Sequence, residues 1–114
     1  MKDRDYRDYF DDIISAINDI HSFIAGMNYD EFLADRKTFN AVIRSLEIIG
    51  EAVKSLPEEM KLNYRDVPWK KIAGMRDKLI HGYFGMDNEI IWKTITENIN
   101  PLLEQIKKIR HTLE

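Results

Sequence analysis

The 114 residues include no cysteine. Disulfides, thiolate zinc sites and cysteine nucleophiles are therefore excluded. Glycine and proline are scarce, at five and three residues, so few positions force a helix to end. No apolar run approaches the ~18 residues a membrane-spanning helix needs. Behind Met1-Lys2-Asp3-Arg4-Asp5 there is no apolar stretch of the kind a secretory signal carries. The expectation is a soluble, cytoplasmic protein. Neither sign of charge dominates: 17 basic and 20 acidic side chains leave a net charge of −3. That excludes a protein that coats nucleic acid by bulk charge, while leaving room for a local basic site. A glycine-rich phosphate loop and an acidic triad for magnesium are both missing, which argues against nucleotidyl transfer by this chain.

What is present is a globular mixture, 44% apolar and 32% charged, of a length that suits one domain over residues 1–114. The apolar residues follow a helical period almost throughout. Tyr6, Phe10, Ile13, Ile17, Ile20 and Ile24 make one stripe, loosened at Gly26 and Asn28 and followed by a short turn around Tyr29 to Leu33. A second helix is expected after Asp35, a good N-cap, with Phe39, Val42, Leu46, Ile49, Val53 and Leu56 inward and Pro57 as its stop. Residues 57–67 read as a connection with one helical turn at Glu58 to Leu62. A third helix spans about Pro68 to Ile80, with Ile72, Met75 and Leu79 as its inner edge. The last starts after Asp87 and carries Ile91, Ile95, Ile99, Leu102, Ile106, Ile109 and Leu113, with Pro101 kinking or splitting it near Asn100. The fold class is all-α, an antiparallel bundle of four to five helices.

Further apolar positions on the first helix (Tyr9, Ile14, Phe23) and the last (Ile90, Trp92, Leu103) broaden these faces. They fit either a well-filled core or a homodimer with a large apolar interface. Gly50 and Gly74 stand inside helical patterns at ~1 kcal/mol each relative to alanine, explained either by close approach of two helix backbones or by ordinary tolerance.

One stretch differs from solvated helix faces: Met75-Arg76-Asp77-Lys78-Leu79-Ile80-His81-Gly82-Tyr83-Phe84-Gly85-Met86-Asp87. Arginine offers a permanent charge and a donor fork suited to phosphate, and histidine moves protons near neutral pH. Together they suffice for metal-free attack on a phosphodiester. Arg76 and His81 lie ~140° apart around an ideal helix and ~7.5 Å along it. Asp77 and His81 form an i,i+4 pair able to hydrogen-bond, through which Asp77 would fix the imidazole tautomer. One copy makes a cramped site, whereas two copies across a twofold axis would bring two Arg and two His into one cleft. Taken alone, the spacing also fits a bundle salt bridge and a histidine at a helix C-terminus.

The stretch resembles the HepT-like branch of the HEPN superfamily, whose Arg-x4-His-x-Tyr signature is matched by Arg76, His81 and Tyr83. Asp77 fits the polar residue that usually follows the arginine. The flanks Pro68 to Met75 and Tyr83 to Asp87, then Ile91-Trp92, are similar to that branch, as is the block Arg44 to Ala52. The resemblance spans nearly the whole chain. It implies a dimeric helical bundle and a metal-independent endoribonuclease that leaves a 2′,3′-cyclic phosphate. It also implies a toxin paired with a minimal nucleotidyltransferase antitoxin, which transfers AMP from ATP onto the tyrosine corresponding to Tyr83. Arg76 and His81 would be catalytic, with Asp77 supporting; neither a metal nor a cofactor is expected.

Other candidates are weaker. His21 and His111 lack ligand-spaced partners and fit structural or surface roles. Glu47 and Glu51 form either a solvated face or a partner for Arg76. Lys107, Lys108 and Arg110 suit a helix C-terminus or an RNA backbone. Two alternatives to the ribonuclease stand beside it: a non-catalytic, nucleotide-binding partner of a nucleotidyltransferase, and a phosphotransfer bundle with His81 as acceptor.

Overall fold

The computed structural model describes residues 5–81 and 87–113. Among them are seven α-helices, one π-helical turn and no strand. Helix α1 (Tyr6–Phe23) begins where the Asp5 carboxylate accepts the Arg7 backbone N–H. Its stripe buries Phe10, Ile13, Ile17 and Ile20, while Tyr6 stays 47% exposed at the first turn. The chain leaves α1 through Gly26 at φ +80°, a left-handed conformation that costs glycine little.

The expected turn at 29–33 is a six-residue helix, α2 (Tyr29–Ala34), fixed by a reciprocal capping box between Asn28 and Glu31. Phe32 pins it to the bundle, its ring 5.2 Å from both Phe39 and Trp92. Helix α3 (Arg36–Ser55) is capped by Asp35, whose side chain accepts the Thr38 N–H. It ends at Leu56 before Pro57, as expected. The connection that follows holds α4 (Glu58–Asn63), and α5 covers Trp69–Ile80 with Pro68 as its N-cap.

The last stretch is split, but not by a simple kink at Asn100. Helix α6 (Asn88–Lys93), capped by Asp87, runs into a π turn (Thr94–Asn98) and then α7 (Ile99–Thr112). The wider turn accommodates Pro101, which has no N–H to donate and crowds the preceding turn. The Thr96 carbonyl, five residues before Pro101, instead accepts from Asn100 Nδ2 at 3.1 Å. Asn100 Oδ1 in turn meets His21 Nε2 at 2.8 Å, so His21 ties α1 to this bend. A second tie joins Arg110 Nε to Asp11 Oδ1 at 2.8 Å.

Helix α3 packs on α1 and α5, and α1 packs on α7. The core is the shared filling of α1, α3 and the α6–α7 run, including Val42, Leu46, Ile95 and Ile106. Each fully buried side chain of this size contributes ~1.5–3 kcal/mol. Helix α5 packs on the edge of this core. Only Trp69 is buried on it, and Ile72, Met75 and Leu79 are half-buried.

Candidate active site

Two features place α5. Trp69 anchors its start: the ring is buried, and Nε1 donates to the Lys61 and Tyr64 carbonyls at 3.2 and 3.0 Å. Gly50 sets its approach to α3. A Cβ at position 50 would overlap the Cβ and Cγ of Arg76 and stand 3.3 Å from its Cα. Close approach therefore accounts for Gly50. It does not account for Gly74, where a Cβ would meet nothing within 4 Å among the described residues.

Arg76 is thus wedged against α3, with 26% of its side-chain surface exposed. Its Nη1 meets Asp77 Oδ1 at a long 3.4 Å. Its Nε is buried with no hydrogen-bond partner among the described residues. Much of the donor fork is uncommitted, and an unpaired buried donor costs ~1–3 kcal/mol. Neither Glu47 nor Glu51 holds it; both carboxylates turn to Arg44, at 3.9 and 3.1 Å.

Asp77 bridges helices. Its Oδ1 accepts from Lys54 Nζ of α3 at 2.8 Å as well as from Arg76. The Lys54 hydrogen bond lowers the Asp77 pKa below its ordinary value; partial desolvation opposes this, and the Arg76 hydrogen bond adds to it. Lys54 was not apparent as a site residue from the sequence. Its signal is position: one turn beyond Gly50 on α3, it faces the same part of α5.

His81 is the C-cap of α5, exposed, with its backbone N–H on the Asp77 and Leu79 carbonyls. The structure joins Arg76 and Lys54 at the Asp77 carboxylate and places His81 at the C-terminal end of the same helix. Tyr83 lies outside the described residues. Among the described residues no group of three His, Asp or Glu could hold a metal ion, and no helix is long and apolar enough to cross a membrane.

The arrangement offers a cationic donor and a proton carrier at the end of one helix, a combination suited to phosphodiester chemistry. Comparison with known proteins gives the family. The model of the family described as "Ribonuclease HepT-like" matches residues 13–109. The chain belongs to the HepT-like family. It is 47% identical to the "Probable ribonuclease HepT" of Thermococcus cleftensis, over 94% of this chain and 97% of that one. It is also 47% identical to "Putative RNase MJ0127" of Methanocaldococcus jannaschii, over 100% and 94% of the two chains. A third relative, "Putative RNase TTE0752" of Caldanaerobacter subterraneus subsp. tengcongensis, is 47% identical over 90% and 92%. No solved structure matches. The all-α bundle is the fold that the HepT-like motif led one to expect.

Proposed function

We propose that this chain is a metal-independent endoribonuclease, the toxin of a pair whose antitoxin is a minimal nucleotidyltransferase, acting in the cytoplasm as a homodimer. The observation that carries the reading is Arg76, held between α3 and α5 with its Nε unpaired, five residues before a helix-end histidine in a HepT-like chain.

The chemistry follows from the two side chains. A neutral His81 takes the proton from a ribose 2′-hydroxyl. The 2′-oxygen attacks the adjacent phosphorus, and the bond from phosphorus to the 5′-oxygen breaks. Arg76 donates to the non-bridging oxygens, where negative charge builds. The leaving 5′-oxygen needs a proton, which the imidazolium of a second copy supplies across the twofold axis. The products are a 2′,3′-cyclic phosphate and a 5′-hydroxyl. Asp77, engaged by Lys54 and Arg76, acts as a positioning residue.

The dimer reading draws support from α5. Its half-buried Ile72, Met75 and Leu79 and its 42% exposed Ile80 leave apolar surface beside the motif. A 280 Å³ cavity lined by Leu46, Ile49, Ile72, Met75 and Leu102 continues that surface toward α7. In the deciding assay, purified wild type cleaves RNA in EDTA, while Arg76→Ala and His81→Ala do not. Activity that disappears in EDTA and returns with added metal overturns the mechanism.

A further inference from the structure

A second cavity, of about 680 Å³, opens where α4 meets the start of α5 and the end of α3. Lys54, Lys61, Arg65, Lys70 and Lys71 line it, against one carboxylate, Glu58. On a chain of net charge −3 this is a concentration of positive charge opposite to the whole. Some of that charge is compensated: Lys61 sits 3.7 Å from Glu58, and Lys54 bonds Asp77. Lys70 and Lys71 are exposed and in no ion pair among the described residues.

Their position runs against helix stability. Lys70 and Lys71 occupy the first turn of α5, which contains no acidic residue, and Pro68 supplies no side-chain cap. Cations there oppose the helix dipole. A bound anion would gain from both the lysines and the helix end.

The cleft also points at the motif. Lys70, Asp77 and His81 follow at i, i+7 and i+11, within ~20° of one line along an ideal helix, and Lys70 stands ~17 Å from His81 along the axis. Ala73 of the cleft wall lies on the adjoining stripe, and Lys54 joins cleft to motif through Asp77.

We infer that this cleft is a track for the sugar–phosphate backbone of the RNA strand cut at His81, gripping phosphates away from the scissile bond. The inference rests on the ribonuclease reading above. A polyanionic strand suits a lysine-lined cleft at the start of α5 that lies in line with the reacting end of the same helix ~17 Å away. Contacts of this kind supply affinity and strong salt dependence without sequence preference.

The test uses the full-length chain and a 5′-labelled 2′-O-methyl oligoribonucleotide, which lacks the nucleophilic hydroxyl. Fluorescence anisotropy across a salt series reads affinity. Lys70→Glu with Lys71→Glu should weaken binding at least ~10-fold and flatten the salt slope by about 1.4, at ~0.7 for each lost phosphate contact. Glutamates in a first turn suit the helix, so the fold should hold by circular dichroism; Lys70→Gln with Lys71→Gln provides a milder second variant. Arg36→Glu with Lys37→Glu, at the opposite end of α3 and ~26 Å along it from Lys54, should change affinity less than twofold. Equal effects of the two charge reversals, or wild-type binding by the cleft variants, would overturn the track. So would a cleft variant that keeps RNA but loses the nucleotidyltransferase, since the cleft would then belong to a protein partner. A separate cleavage assay keeps the two readings apart. Cleft-dependent binding without cutting leaves the track standing and removes the ribonuclease; cutting with cleft-independent binding does the reverse.

Discussion

Gly50 of α3 and Arg76 of α5 meet where no side chain fits between them: a Cβ at 50 would overlap the Cβ and Cγ of Arg76. The glycine lets the arginine stem lie on the α3 backbone. Gly50→Ala would gain ~1 kcal/mol of helix propensity and lose ~1–3 kcal/mol to overpacking. Because the clash involves the first side-chain atoms of Arg76, α5 itself must shift. The expected result is a melting temperature lowered by several degrees and a larger loss of RNA cleavage than the stability change explains. Gly74→Ala provides the contrast. A Cβ there would meet nothing within 4 Å among the described residues, so thermal denaturation should show an unchanged or raised melting temperature.

In the proposed mechanism Arg76→Ala and His81→Ala remove two different contributions to the same step. Loss of a preorganised donor to a developing oxyanion costs ~10²–10³-fold, and loss of a general acid or base ~10²–10⁴-fold. Single-turnover cleavage should fall by these factors while circular dichroism stays native. Wild-type cleavage by His81→Ala would reduce the motif to scaffolding.

The long elements were legible because each carries a full stripe and a chemical stop. Asp35 and Asp87 cap, Pro57 ends α3, and Phe10, Ile13, Ile17 and Ile20 all go inside. Helix α2 was read as a turn because six residues are too few to show a period; its signal is the capping box at Asn28 and Glu31. The π turn was legible only as trouble near Pro101, since no spacing rule distinguishes a widened turn from a kink. At the site, the neighbour of Arg76 on α3 is Gly50, while Glu47 and Glu51 turn to Arg44. The partner of Asp77 was sought on its own helix, at His81. Asp77 also accepts from Lys54 at 2.8 Å, 23 residues earlier, a contact that depends on how α3 and α5 pack.

The Lys54–Asp77 bridge sets a pH dependence. The folded-state pKa of Asp77 lies below its ordinary 3.8, chiefly through the Lys54 hydrogen bond. The folded chain therefore binds the proton less readily than the unfolded one. The bridge's contribution is complete above the unfolded value and is lost as pH falls through the lower folded value. Both side chains are nearly half exposed, so solvent screening keeps the effect modest. Chemical denaturation at pH 5 and pH 3 should show wild type losing more stability on acidification than Asp77→Asn. Equal losses would mean that the bridge does not persist in solution.

Ile80, next to His81 and 42% exposed, tests the dimer. A glutamate there loses little packing within one copy but places charge in an apolar contact between two. Light scattering at micromolar concentration should give a dimer for wild type and a monomer for Ile80→Glu, with native circular dichroism and strongly reduced cleavage. A wild-type monomer would remove the shared-site mechanism.

Tyr83 is expected to be the regulatory switch. It follows His81 by two residues and is flanked by Gly82 and Gly85. In the proposed modification its phenolic oxygen attacks the α-phosphorus of ATP. The bond to pyrophosphate breaks, and the phenolic proton leaves to solvent. The tyrosine then carries a phosphodiester and an adenine base. The added negative charge would compete with RNA phosphate for Arg76, and the base would obstruct the cleft. Both effects are local, so the bundle should keep its fold, as with other charge-adding modifications. Incubation with the nucleotidyltransferase partner and ATP should add the mass of one adenylyl group to wild type and none to Tyr83→Phe. Cleavage should fall in proportion to the modified fraction, with circular dichroism unchanged. A Tyr83→Phe protein that still gains AMP, or a fully modified protein that still cuts RNA at the original rate, would remove Tyr83 from the mechanism. Loss of activity with loss of helical signal would place the effect in the fold rather than at Arg76 and His81.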